Sequence, residues 1–335
     1  MKFGIFDHVD DSGLPLAEHF EARLQMVAAY EKAGFHAYHV AEHHGTPLGH
    51  APSPAVWLAA VSQRTKTLRF GPLVFLLPLY HPLRLIEEIG MLDALSGGRL
   101  EFGYGRGISP IEMGFYGIDM AQQQARSDEA FAVVMQGLTQ PRLTHQGQFF
   151  QFDDVPMLQR PLQQPHPPLW YGTNSPGSVE KCAQRRLNMI TLLTGEPMRA
   201  MMAGYRAAYD GPPEHMPLLG AGRHIVVADS DAEARAIARP AFARWRANFV
   251  HLWEQRGGDN PFVRNFPKDW DAVVATGGAC AGSPDTVRAF IAKDQALGGY
   301  TYLLAQLAFG DLTVAQVSRS AELFGAEVMP AFAGH

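Results

Sequence analysis

Cysteine is scarce in this chain: Cys182 and Cys280 are the only two among 335 residues. That excludes a disulfide framework, and their separation excludes a metal site built on a close cysteine pair. Excess positive charge is missing too. With 28 Lys and Arg against 33 Asp and Glu, the net charge is −5, which removes the electrostatic footprint of a nucleic-acid binder. No apolar run reaches the roughly 18 residues of a membrane span. Met1-Lys2-Phe3-Gly4-Ile5-Phe6 lacks the charge, apolar-run and cleavage pattern of a secretory leader, so a cytoplasmic protein is expected. Charged residues are only 18% against 47% hydrophobic, a balance that builds a core rather than a disordered chain. No Walker loop, serine nucleophile elbow, catalytic-cysteine motif or two-histidine metalloprotease helix occurs, and no metal is expected.

What is plentiful is glycine, with 33, proline, with 24, and histidine, with 14. The glycines and prolines punctuate a repeating pattern of short apolar run, loop and helix. The runs are Phe3–Phe6, Ala37–Ala41, Leu68–Leu77, Leu100–Tyr104, Leu169–Tyr171, Met189–Leu193, His224–Ala228 and Tyr300–Ala305. Helical spacing fills the intervals, as in Leu16–Ala33, which Gly34 ends. Eight runs alternating with helices predict parallel βα units and an α/β fold closing as a (β/α)8 TIM barrel, one domain over residues 1–335. The rival, an open doubly wound sheet, would carry a glycine fingerprint after its first strand; Asp7–Leu16 has only Gly13. Two stretches break the rhythm. Residues 141–168, rich in Gln and Pro, predict an inserted hairpin or irregular loop. Residues 257–282 show no periodicity and predict a functional, mobile excursion.

In such a barrel the loops after the strands carry the chemistry. Glu42-His43-His44 is the densest polar group there, and a carboxylate beside two imidazoles suits acid/base work near neutral pH. Strand-end residues satisfying loop backbone would look the same. Asp7, His8 and His81 also follow strands. Gly103-Tyr104-Gly105-Arg106-Gly107 sets one arginine among three glycines, and Ser109 and Glu112 lie just beyond. Exposed N–H groups with a guanidinium suit a phosphate, although a plain tight turn is the simpler alternative. Asn174-Ser175-Pro176-Gly177-Ser178, where a helix begins, strengthens the phosphate reading. The remaining histidines, His335 included, read as structural or surface residues.

These motifs together resemble the bacterial luciferase-like family of flavin-dependent monooxygenases. The resemblance spans nearly the whole chain. It includes Met1-Lys2-Phe3-Gly4, Glu42-His43-His44, Leu77-Pro78-Leu79-Tyr80-His81-Pro82, Ser96-Gly97-Gly98-Arg99, Gly103–Gly107, Ala281-Gly282-Ser283-Pro284 and Glu327-Val328-Met329-Pro330. It implies an eight-stranded barrel with a flavin on the carboxyl face. Arg106, with backbone at Ile108 and Ser109, would hold the phosphate together with Asn174, Ser175 and Ser178. Leu73-Val74 matches a non-proline cis peptide beneath the flavin ring. His43 matches the catalytic histidine, flanked by Glu42 and His44. The implied reaction uses reduced FMN and O₂ to put one oxygen atom into a small organic substrate, with a separate flavin reductase as FMNH₂ donor. A homodimer is implied as well. Hydride transfer with the deazaflavin F420, or flavin binding without catalysis, are the alternatives. Gly105 stands where the light-emitting subunit has a reactive cysteine, so no bioluminescence is expected.

Overall fold

A computed structural model describes residues 1–257 and 261–333. Its strands are β1 (Lys2–Asp7), β2 (Ala37–Val40), β3 (Arg69–Pro72), β4 (Phe75–Leu76), β5 (Phe102–Gly105), β6 (Arg142–Gln146), β7 (Gln151–Pro156), β8 (Leu169–Gly172), β9 (Asn188–Thr191), β10 (Leu219–Val227), β11 (Ala279–Gly282) and β12 (Tyr302–Gln306). All the pairings of the main sheet are parallel, and its order is β3-β2-β1-β12-β10-β9-β8-β5-β4. The two ends of that path, β3 and β4, are halves of one segment. Phe70 of β3 also bridges to Leu100 just before β5. The sheet is therefore an α/β barrel of the expected kind, closed through residues 69–76.

Alternation along the strands sorts the side chains. Phe6, Leu73, Trp170, Ile190, Tyr302 and Leu304 meet inside the barrel, with Val74 against them. The larger core lies between strands and helices. Helix Leu16–Ala33 stops at Gly34, whose φ of 85° lets its N–H return to Glu31 and Tyr30 carbonyls, a conformation other residues reach only with strain. Among the described residues no helix is long and apolar enough to cross a membrane.

Three details differ from the sequence expectation. The apolar run Leu68–Leu77 is two strands, because the backbone leaves the ladder at Leu73–Val74, whose peptide bond is cis. The seventh strand begins at Leu219, five residues before the apolar run. Gly220, Gly222 and Arg223 hide it in the sequence. Gly220 is there because a Cβ would press on Ile190, and buried Arg223 meets Asp294 at 3.0 Å on helix Pro284–Gly298. Residues 257–282 are not structureless. Beyond 258–260, which lie outside the described residues, they contain helix Pro261–Arg264, helix Trp270–Ala275 and β11, which pairs with the upper half of β10. Residues 142–156 form an antiparallel hairpin outside the barrel.

A buried charge cluster ties the carboxyl end of β1 to its surroundings. Arg23 bridges Asp7 and Asp10, at 3.0 Å each. Asp7 also accepts from Tyr38 Oη, and Asp10 from Asn248 and from Gly310 N–H. Burial pushes Asp10 up to about 6 in spite of Arg23. Removing the cation would strand two buried carboxylates, so Arg23→Leu should cost about 3–5 kcal/mol in urea unfolding. Asp10 is protonated more readily folded than unfolded, so its linkage favours folding below pH 3.8 and is lost as pH rises to about 6. Asp10→Asn should flatten the stability profile across that window.

Candidate active site

The carboxyl ends of the strands gather most of the residues singled out from the sequence. Glu42, His43 and His44 follow β2, and successive side chains turn opposite ways. Glu42 and His44 are buried. Glu42 Oε1 lies 2.9 Å from His44 Nε2, while Oε2 accepts from Leu76 N–H at 3.0 Å and Tyr80 Oη at 2.9 Å. His44 Nδ1 is in turn 2.8 Å from Tyr116 Oη. Both ring nitrogens of His44 and both oxygens of Glu42 are thus engaged by the protein. Burial pushes the Glu42 carboxyl up, and its hydrogen bonds only partly offset that. The pair anchors β4 and the residues leading into it.

His43 faces the other way. Its Nδ1 is 3.1 Å from Glu112 Oε1, which also accepts from His44 N–H at 2.7 Å. A carboxylate can only accept here, so Nδ1 carries the proton and Nε2 is left without a partner among the described residues. Burial raises the Glu112 carboxyl, but the His43 charge and the bonds from His43, His44 and Ser109 outweigh it, and the net shift is downward. Glu112 is therefore an anion that orients His43. It sits in helix Pro110–Phe115, capped by Ser109 Oγ. The sequence showed Glu112 only as one polar residue after a strand, because its partner lies 69 positions away.

His43, Ile108 and Glu112 form one wall of a cleft, and Phe249, Leu252 and Trp253 form the other. The second wall is the end of the long helix Asp231–Arg256. The cleft is apolar apart from the His43–Glu112 pair, Thr46 and Ser109, the composition of a small-molecule site.

Val74 is half-buried beside Gly105, three residues before the cleft residue Ile108. A Cβ on Gly105 would stand 2.7 Å from Val74 Cγ2, so the absence of a side chain at 105 is what lets Val74 keep its place. Arg106 follows, exposed, with no hydrogen-bond or ion-pair partner for its guanidinium among the described residues. Its charge acts on Tyr171 at the end of β8. Past β8 come Ser175 and Ser178, whose hydroxyls are likewise unpartnered among the described residues. Asn174 Oδ1 instead accepts from Leu192 N–H and Thr191 Oγ1, both at 2.9 Å, and so fastens the end of β9. Ser109 Oγ is occupied in capping, which leaves backbone groups at Ile108 and Ser109. Gln123 steadies this loop through the carbonyls of Arg106 and Gly107. A free guanidinium and two free hydroxyls beside a half-buried valine suit a phosphate joined to a flat apolar ring.

His81 lies elsewhere: it is exposed and packs edge-on against Phe150 and Phe152 near the hairpin. Asp7 is consumed by Arg23. Among the described residues no three His, Cys, Asp or Glu are grouped to hold a metal ion. His335 lies outside the described residues.

With this geometry, the comparisons with known proteins agree on a class. The sequence model of the luciferase-like monooxygenases matches residues 1–301, and the chain belongs to that family. It is 40% identical over 315 residues to the uncharacterised protein y4wF of Sinorhizobium fredii, covering 93% of this chain and 92% of that one. It is 29% identical over 250 residues to the oxygenase component of the flavin-dependent trigonelline monooxygenase of Acinetobacter baylyi, with 71% and 68% covered. Among solved structures, the monooxygenase RslO1 from Streptomyces bottropensis superimposes with a TM-score of 0.87 at 27% identity, over 99% of this chain and 100% of that one.

The anchoring part given to Glu42 has a measurable cost. Glu42→Ala leaves Leu76 N–H and Tyr80 Oη buried without an acceptor, and should destabilise the protein by about 2–4 kcal/mol in chemical denaturation. A loss under about 0.5 kcal/mol would show that Glu42 is not holding β4.

Proposed function

We infer that the chain is the oxygenase of a two-component monooxygenase. It accepts reduced FMN from a separate flavin reductase and uses O₂ to place one oxygen atom in a small organic substrate. The observation that carries this reading is the His43–Glu112 pair opening on a largely apolar cleft, whose Ile108 continues the loop of Gly105, packed against Val74, and Arg106, whose guanidinium has no partner among the described residues. Reduced FMN, when bound, supplies the electrons that activate oxygen. The residues divide the remaining work. Arg106, Ser175, Ser178 and the backbone at Ile108 and Ser109 hold the phosphate. Leu73 and Val74 support the ring. Asn174 fastens the neighbouring strand end. His43, with Nδ1–H tied to the anionic Glu112, holds or moves a proton at Nε2. Glu42 and His44 keep that arrangement in register. Phe249, Leu252 and Trp253 exclude water, as oxygen chemistry on a flavin requires. Helix Pro261–Arg264 lends Val263 to the cleft and is the proposed lid.

FMN is favoured over F420 by the charges at the mouth. F420 carries an acidic tail, and the nearby cations other than Arg106 are engaged: Lys181 with Asp128, and Arg185 over the ring of Phe131. A homodimer is proposed through helices Pro54–Arg64 and Pro82–Ser96, which pack side by side and leave Val56, Met91 and Leu95 exposed. Sedimentation as a monomer at micromolar concentration would overturn that.

Two substitutions test the site. Arg106→Ala should weaken FMN binding about tenfold or more but leave riboflavin, which lacks the phosphate, unchanged. Tighter binding of F420 than of FMN would overturn the cofactor assignment. With FMNH₂, O₂ and a panel of aldehydes, ketones and aromatics, His43→Ala should slow product formation about 10²–10⁴-fold without loss of FMN affinity. Undiminished turnover would remove His43 from the mechanism.

A further inference from the structure

His8 is the first side chain beyond β1, and nothing described so far uses it. The strand alternation turns Phe6 into the barrel and Asp7 out toward Arg23, so His8 falls on the inner side above Phe6. Its ring lies 4.8 Å from that of Phe6 and stacks beside His43 at 5.7 Å, with the planes 25° apart. The backbone is forced to hold it there. Val9 has φ of +52°, a costly conformation for a β-branched residue. Asp7 Oδ1 accepts from Val9 N–H at 2.7 Å, and Val9 O accepts from His50 N–H at 2.9 Å.

The tautomer of His8 is fixed by its neighbours. Gln306 Nε2 lies 3.1 Å from Nδ1, and Trp245 Nε1–H points at the same atom from 3.5 Å. An indole nitrogen only donates, so Nδ1 accepts and Nε2 carries the hydrogen. That Nε2–H has no protein partner among the described residues, and it is not one of the buried polar atoms left orphaned, so it opens on accessible space. The ring is also kept neutral: burial lowers its pKa well below the usual imidazole value, and the charges of His43, His224 and Arg23 push the same way. A second histidine held neutral by burial and in one tautomer by its neighbours is poorly placed to carry a proton. It is a fixed donor, one ring away from His43.

We propose that His8 is a specificity residue that donates Nε2–H to an acceptor oxygen of the substrate, a carbonyl or phenolic oxygen on an otherwise apolar skeleton. The proposal rests on reading the cleft as a substrate site, and it does not depend on which flavin the protein takes. The apolar wall of Phe249, Leu252 and Trp253 accounts for the skeleton. An oxygen bound in the plane of the His8 ring at Nε2–H would lie one stacked ring away from His43, the proton carrier.

The test uses acetophenone and ethylbenzene, which share a skeleton and differ in the carbonyl, titrated against the flavin-free protein by tryptophan fluorescence. Wild type should prefer acetophenone. His8→Phe should lose about tenfold of that preference, about 1.4 kcal/mol, while keeping its affinity for ethylbenzene and for FMN. His8→Gln, whose amide can reach the same place, should restore much of it. No ketone preference in wild type, or the same preference in His8→Phe, overturns the proposal. A fall in FMN affinity equal to that for acetophenone overturns it too, by making the flavin the acceptor. Nitrogen-15 NMR of the wild-type imidazoles decides it even if His8→Phe fails to fold. A neutral Nε2–H ring at pH 7 that shifts with acetophenone and not with ethylbenzene is required, and an Nδ1–H or charged ring at that pH overturns it. If FMN fails to bind while these results hold, the oxygenase reading falls and the donor stands.

Discussion

The barrel closes through one short segment, and a single buried carboxylate completes that closure. Between β3 and β4 the chain leaves the ladder, so its backbone donors need other acceptors. Val40 O takes Leu73 N–H at 2.7 Å, and Glu42 Oε2 takes Leu76 N–H at 3.0 Å. A side chain thus does what a strand carbonyl does elsewhere in the sheet. Because Glu42 belongs to the same three-residue run as His43, the bond that shuts the barrel also sets where the His43 imidazole points.

The two carboxylates of the site are driven apart by their surroundings. Glu42 has buried neighbours and is pushed up; Glu112 has the His43 charge and is held down. Separation of this kind lets chemically identical groups take different parts. Here one orders backbone and the other orders an imidazole. His43 and His44 divide the same way, since His44 has both nitrogens engaged by Glu42 and Tyr116 while Nε2 of His43 has no partner among the described residues.

Much of this was legible from the sequence, and the reason is periodicity. Eight apolar runs alternating with helices are enough to define a parallel barrel, and strand ends then mark one face. Glu42, His43, Arg106, Ser175 and Ser178 could be picked out because each follows a run directly. What escaped was whatever depends on contacts across the barrel. Glu112 is one polar residue in a loop until His43 comes beside it. His8 looks like any strand-end histidine until Trp245 and Gln306, 237 and 298 positions away, fix its tautomer. The start of β10 was hidden because its glycines and buried arginine answer to Ile190 and Asp294, not to a hydrophobic pattern. His81 misled for the converse reason: it follows a strand but turns toward the hairpin.

Helix Asp231–Arg256 is moored two turns before its end. Asp10, Asp11 and the Asp11 carbonyl grip Arg244 and Asn248, immediately before the residues that face the cleft. Phe249, Leu252 and Trp253 therefore face the cleft from just beyond a fixed point, with Phe249 stacked on Trp245 and against Phe266. Asp10 is shared by Arg23 and Asn248, so one cleft wall takes its position from the same carboxylate that ties down the end of β1.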